Sequence, residues 1–396
     1  MPLRDIVLTT LIVGMLPLCF KRPWVGALMW VWVSVMSPHR LTWAFAHDFP
    51  FAMVIAIVTL TGMLFTKDEK RLPMNAVTVV LLLLVVQMSI STMFSIWFDG
   101  SVQQWTKVMK IYLMLFVTMA LLHTREHLKW LVLILTGSIA FYGIKGGLFT
   151  LRGGGVERVF GPPGSYIYEN NALAVAVIMT IPLLRYYHLQ VKEQWKKYAL
   201  LGAMAVCGAS ALGSQSRGGL LAIIAMLGFL WLKAKNKVLT LIVLALMVPV
   251  GWNFMPEKWH ERMNTIQTYQ SDGSAMGRID AWTGAVKLAN DRPLIGGGFA
   301  IYSWVLASYT PSGTTRSAHS VWFQFLGEHG YPGLLLFILL WILVWRNASW
   351  VIRQCRTREG WVWASDLARM MQVSLIGYFV GGAFLQLAYY DVPLNM

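Results

Sequence analysis

Long apolar runs separated by short polar connectors dominate this chain. A membrane-crossing helix needs about 20 apolar residues, in a range of roughly 17–25. Runs of this kind fall at 6–20, 24–37, 50–66, 75–98, 108–123, 130–149, 171–187, 198–214, 219–233, 238–254, 319–345 and 369–389. The pattern predicts an all-α polytopic membrane protein with about 12 transmembrane helices. Residues 1–254 carry helices 1–10, residues 255–318 form a large loop with an amphipathic helix, and residues 319–396 carry helices 11–12. Lys21-Arg22-Pro23, rather than a small-residue cleavage site, follows the first run, which therefore reads as a retained helix.

The connectors alternate in character. Lys21-Arg22, Lys67 to Arg71, Arg125 to Lys129, Arg185 to Lys197, Lys233 to Lys237 and Arg346 to Arg358 are basic, which places them inside. The other set, 38–49, 99–107, 150–170, 215–218 and 255–318, then faces outward, as do both termini. Outward loops are rich in glycine, aromatics and asparagine with isolated arginines, the texture of loops that carry function.

Composition supports the membrane assignment. Only 13% of residues are charged and 57% are hydrophobic, against about 25% charged in soluble domains. Aromatic residues cluster at the ends of apolar runs, as they do at membrane interfaces. A net charge of +15 would suggest nucleic acid in a soluble protein. Here no basic stripe lies outside the short loops, so membrane headgroups are the expected partners and nucleic acid is not. Cys19, Cys207 and Cys355 are too scattered for a disulfide framework or a metal site.

Candidate chemistry gathers in the outward loops. Ser216 and Arg217 open a span with almost no preceding loop, so backbone N–H groups and a guanidinium coincide at the membrane edge. That suits a phosphate, or an arginine snorkelling to the interface. Ser274 is expected to cap a helix on which Ile279, Trp282, Val286 and Ala289 share a face. Arg278 lies in its first turn, unfavourably placed in the helix dipole unless an anion binds there or the side chain stacks on Trp282. Arg316 and Ala318 precede the next span and His319 begins it, as either a base or an interfacial histidine. Glu328, inside that span, has to be neutral or paired, and a structural role at the Gly330-Tyr331-Pro332 break is expected for it. Arg158 begins a Pro/Gly-rich loop that continues through Tyr166, Tyr168, Glu169, Asn170 and Asn171; its aromatics and amides suit sugar rings and hydroxyls, and Asn170 and Asn171 suit capping the next helix equally well.

No Asp-x-Asp, phosphate-loop or zinc-protease motif is present, and His123 and His127 have no third ligand in sequence. The Asn347 glycosylation sequon falls on the inward side.

Ser216-Arg217-Gly218-Gly219, Arg278 with Trp282 and Gly296-Gly297-Gly298-Phe299, and Ala318-His319-Ser320 with Glu328, Gly330 and Gly333 resemble, in order and placement, the O-antigen ligase family. That family also holds O-antigen polymerases and bacterial O-linked protein oligosaccharyltransferases. The resemblance covers roughly Arg158 to Tyr390, and the N-terminal spans share only hydropathy. It implies a lipid-dependent glycosyltransferase (GT-C-like) fold with its large helical loop in the periplasm and a multi-pass position in the bacterial inner membrane. The implied activity is metal-independent and needs no cofactor. The implied donor is a polysaccharide on undecaprenyl pyrophosphate and the acceptor a sugar hydroxyl of lipid A–core. His319 matches the family's catalytic histidine, and Arg217 and Arg278 match its pyrophosphate-binding arginines. Arg158 would be a third phosphate contact, with Ser216, Trp282, Arg316 and Glu328 in support. The sister acceptors, a growing glycan or protein Ser/Thr, remain alternatives. A reading from another class is a secondary transporter, for which Lys145, Glu328 and His329 would be the mid-span polar groups; no inverted repeat accompanies them.

Overall fold

The computed structural model describes residues 3–234, 236–264, 270, 273–302, 304–314 and 317–396. Among these, regular structure is entirely helical. Long helices come first: α1 (Leu3–Lys21), α2 (Pro23–Met36), α3 (Phe51–Phe65), α4 (Ala76–Met93), α5 (Phe98–Leu121), α6 (Arg125–Arg152), α7 (Asn170–Gln190), α8 (Gln194–Gly213), α9 (Arg217–Lys233) and α10 (Lys237–Phe254). The 255–318 stretch holds α11 (Glu257–Asn264), α12 (Gly273–Asp291) and α13 (Trp304–Ala307). Then follow α14 (Val321–Cys355), α15 (Val362–Gly382) and the short α16 (Asp391–Leu394).

Helix starts are set locally. Asn75, Thr124, Ser216 and Asn236 each accept a hydrogen bond from the N–H three residues on, capping α4, α6, α9 and α10. Each expected apolar run overlaps a helix. Six helices among the described residues, α1, α4, α6, α7, α10 and α14, are long and apolar enough to cross a membrane, and α2 and α3 are apolar but shorter. The exposed face of α10 shows why a bilayer is needed. None of its residues is buried, and Leu246 and Val250 are 66% and 71% exposed. A surface of this kind suits hydrocarbon, not water. By contrast α7 is enclosed by α6, α8, α9 and α15. The protein is a multi-pass membrane protein.

The connectors sort to two ends. At one end Asp5 accepts from the N–H groups of Trp43, Ala44 and Ala46 at 3.3, 3.1 and 3.0 Å. There too Ile96 N–H reaches Gly297 O at 2.9 Å, and Asn170 Nδ2 reaches Ser214 O at 2.7 Å. At the other end Tyr187 OH donates to Lys129 O at 3.2 Å, and Arg125 lies 4.8 Å over the Trp363 ring. Each of these contacts joins two segments that the charge alternation puts in the same set.

Several boundaries differ from expectation; the connector expected at Arg346 to Arg358 is helical as far as Cys355, the end of α14, which itself starts at Val321 rather than 319. Residues 99–107 are not a loop but the first turns of α5, where Asp99 favours the positive helix end and Ser101 Oγ is bound to Phe299 O at 2.8 Å. The last span is α15, ending at Gly382 rather than 389. The apolar residues after it, Leu385, Leu387, Tyr389 and Tyr390, leave the helix and are buried against protein. Hydropathy does not distinguish burial in lipid from burial in the bundle.

Helix α14 is broken at Gly330, with φ 67° and ψ −169°. The positive φ suits glycine, and a Cβ there would lie 2.5 Å from Pro293 O. Pro332 has no N–H to offer Glu328 O, and Tyr331 N–H turns instead to Pro293 O at 2.9 Å. The glycine loop satisfies the orphaned carbonyls. Gly297 N–H donates to Gly327 O and Gly298 N–H to Glu328 O, both at 2.9 Å. Irregular backbone inside a membrane bundle persists only when it is satisfied in this way. The Glu328 carboxyl is buried, accepts from the Tyr389 hydroxyl, and lies 3.3 Å from Ala300 N. Tyr389 OH also lies 2.7 Å from His329 Nε2. Glu328 is thus an internal tie at the break.

Candidate functional site

Helix α12 packs against α14 and the 301–310 segment, and its buried residues are Gly277, Ala281, Gly284, Ala285, Leu288 and Ala289. This corrects the face expected from Ile279, Trp282, Val286 and Ala289: Ile279 is exposed, and Trp282 and Val286 are half-buried. Small residues win because they permit close approach; a Cβ on Gly284 would already lie 2.9 Å from Thr310 Cγ2. Gly273 and Ser274 lie in the first described turn of the helix.

Trp282 has a specific task. Its Nε1–H donates to Ala318 O at 2.6 Å, and its ring stacks on Phe323 at 5.0 Å with planes 11° apart. The bond holds the segment before α14 in an unusual course. His319 adopts φ 40°, left-handed for a residue with a side chain. Such strain costs roughly 1–3 kcal/mol and persists only where surroundings impose it. Here Trp282 on one side and the start of α14 at Val321 on the other impose it.

His319 and Ser317 line two adjoining cavities. One, of about 380 Å³, is completed by Gly273, Ser274, Gly277 and Arg278. The other, of about 420 Å³, includes Tyr166, Tyr168, Glu169 and Gln386. Gln386 Oε1 accepts a hydrogen bond from Ser317 Oγ, so the segment after α15 is tied to the segment before α14. Burial and the Arg278 charge hold the His319 imidazole below its ordinary range, and Glu169 pulls in the opposite direction. The net direction keeps the ring neutral at pH 7, with a lone pair available to take a proton. Burial and the Asp391 charge push the Tyr166 phenol upward, so it stays protonated.

Arg217 and Arg158 belong to a different turn: Arg158 reaches Gln215, and Arg217 follows two residues later at the start of α9. Gln215 takes φ 54°, and its Nε2 binds Gly155 O at 3.1 Å and Val156 O at 2.9 Å. Arg158 Nε approaches Gln215 Oε1 at 3.4 Å, and Arg262 Nε donates to Gln215 O at 2.8 Å. Ser216 Oγ accepts from Gly219 N–H at 2.9 Å, which makes Arg217 the first residue of α9. Arg217 and Arg158 are not among the residues that line the two cavities. Their turn is nevertheless attached to the larger one. Asn170, next to Glu169, binds Ser214 O, and Gly218 faces Phe384, two residues before Gln386.

The structure therefore brings together His319, Arg278 and Trp282, and sets Arg217, Ser216 and Arg158 on an adjacent turn. Glu328 belongs to the helix break, and Arg316 lies outside the described residues. Sequence reasoning missed Ser317, Gln386, Arg262 and any role for Glu169. No spacing rule links those positions, which four separate segments deliver.

Fold and site define a helical, multi-pass membrane protein with a histidine- and arginine-bearing pocket among the connectors at one end of its bundle. Residues 202–338 match the family model described as O-Antigen ligase, which shows the family resemblance across the segment holding Ser216, Arg217, Arg278, Trp282, His319 and Glu328. Residues 3–191, with Arg158 and Glu169, match a family of unknown function (DUF5935). No curated protein matches the chain.

Proposed function

We propose that this protein is an O-antigen ligase that transfers polysaccharide from undecaprenyl pyrophosphate to a sugar hydroxyl of lipid A–core. The reaction takes place at the periplasmic face of the bacterial inner membrane, in a GT-C-like bundle of about 12 spans. The observation that carries the reading is His319 on a wall shared with Arg278, inside the segment that matches the ligase family.

The chemistry follows from that pairing. The acceptor hydroxyl oxygen attacks the anomeric carbon while the His319 ring takes its proton, a contribution of typically ~10²–10⁴ in rate. The bond from the anomeric carbon to the diphosphate oxygen breaks, and the diphosphate leaves with the electron pair. Arg278 meets the developing charge with charge-assisted, bidentate bonds, and Arg217 and Arg158 add positive potential from the neighbouring turn. Permanent guanidinium charge does the work here without a metal ion. A single displacement inverts the anomeric centre.

The test is to incubate purified protein with lipid-linked glycan, without added metal, offering lipid A–core or a Ser/Thr peptide. Glycosylated lipid A–core with inverted linkage, lost in His319→Ala, is the expected result. Glycosylation of the peptide alone, or glycan extension on the carrier, would move the protein to a sister activity. An unaffected His319→Ala would remove the proposed base.

A further inference from the structure

The two cavities that meet at His319 differ in chemistry, and the difference suggests which substrate enters from which side. We propose that the larger cavity is the acceptor subsite, where Glu169, Tyr166, Tyr168 and Gln386 hold the hydroxyl-bearing acceptor sugar against His319. This rests on the transferase reading above and extends it to a named specificity residue, Glu169.

Charge separates the two sides. The smaller cavity carries Arg278 and begins at the first turns of α12, a setting for an anion. The larger carries Glu169 instead. A diphosphate beside that carboxylate would meet like charge, whereas neutral sugar hydroxyls meet a strong acceptor. The other described lining residues are aromatic, aliphatic, amide or hydroxyl groups beside His319. Tyr166 and Tyr168 are partly exposed, at 40% and 48%, and offer ring faces together with hydroxyls. Gln386 offers an amide. The volume, about 420 Å³, lies within the span of small-molecule sites of roughly 300–1,000 Å³.

Glu169 is placed for this task rather than for holding its own helix. It stands immediately before α7, with φ −66° and ψ 142°, yet its side chain does not cap the helix. Asn170 takes up the structural work by binding Ser214 O. The groups facing the His319 ring are Arg278 from α12 and, from the segment before α7, Glu169 with the phenols Tyr166 and Tyr168. The segment after α15 adds only Leu385, Gln386 and Leu387. Among the described residues Glu169 is thus the negative group of this set, poised both to orient an acceptor hydroxyl and to steady the imidazolium that forms when His319 takes its proton.

The experiment uses purified full-length protein and two probes, delipidated core oligosaccharide and undecaprenyl pyrophosphate. Glu169→Gln should bind the core oligosaccharide about tenfold more weakly, as expected for loss of a hydrogen bond to a charged group, with undecaprenyl pyrophosphate affinity unchanged. In the transfer assay the acid limb of the rate profile should move to lower pH, because Glu169 raises the His319 pKa; Glu169→Asp should restore most of that shift. A Tyr166→Ala variant tests the same wall without touching the charge, and should likewise weaken the sugar alone. If Glu169→Gln alters undecaprenyl pyrophosphate binding instead, or if neither the wild type nor any variant binds the oligosaccharide, the assignment is overturned. If the sugar binds as expected but no transfer occurs, the assignment stands and the ligase reading fails.

Discussion

Replacing Trp282 by Phe tests how the site is held together. The change keeps a ring to stack on Phe323 but deletes the indole N–H that donates to Ala318 O at 2.6 Å. Ala318 is fully buried, so its carbonyl loses its donor without gaining water. A buried acceptor left unsatisfied costs ~1–3 kcal/mol. The adjacent His319 already holds a left-handed backbone that costs ~1–3 kcal/mol. The two quantities are of one size, so the bond is what keeps the strained conformer favoured. Taking about 2 kcal/mol from it lowers its population about 30-fold. A displacement of about 1 Å at a catalytic group can itself cost ~10² in rate. The expected outcome is a 10- to 100-fold fall in kcat for glycan transfer, with the melting temperature in detergent close to wild type and undecaprenyl pyrophosphate affinity unchanged. If Trp282→Phe retains kcat within about twofold, a strained His319 held by this hydrogen bond is not needed for the chemistry.

Further outcomes follow from the same structure at Arg278 and at Gly330. Arg278→Gln removes a charge that lowers the His319 pKa, so the acid limb of the residual transfer profile should move to higher pH, opposite to Glu169→Gln. Arg278→Lys should restore the limb but not full activity, since an ammonium lacks the fork that binds a diphosphate in two places; normal rates for the lysine variant would refute the leaving-group role. Gly330→Ala should prevent accumulation in the membrane fraction or lower the melting temperature markedly, because its Cβ would lie 2.5 Å from Pro293 O and its φ is positive. Gly137→Ala, with nothing within 4 Å of the added Cβ, is the matched control and should melt at or above wild type.

How much was readable in advance differs by residue. His319 stands out as a titratable ring at the entry to an apolar run and Arg278 as a dipole-opposed arginine in the first turn of an amphipathic helix, and the two do share a wall. Arg217 and Arg158 stand out for similar reasons, but they belong to the Gln215 turn instead. Hydropathy misplaces the buried face of α12 because it weighs Ile279 and Trp282 above Gly277 and Gly284, whereas close packing in a bundle favours the small residues. Gln386 was hidden inside an apolar run that hydropathy assigns to a span.

Hydropathy and the alternation of basic connectors determined from sequence alone that the chain is helical, apolar on its outer surface, and sorted into two chemically unlike ends. Those are local or summed properties, and each residue contributes to them without knowing its partners. The tertiary structure decided what depends on distance across the fold: that segments ending in Glu169, beginning at Gly273, preceding Val321 and following Gly382 close around one imidazole. It also decided that the break at Gly330 is made good by amides from the Gly296–Gly298 loop. Such contacts arise because orphaned backbone groups and strained turns must find partners in space, and the order of residues along the chain does not state where those partners lie.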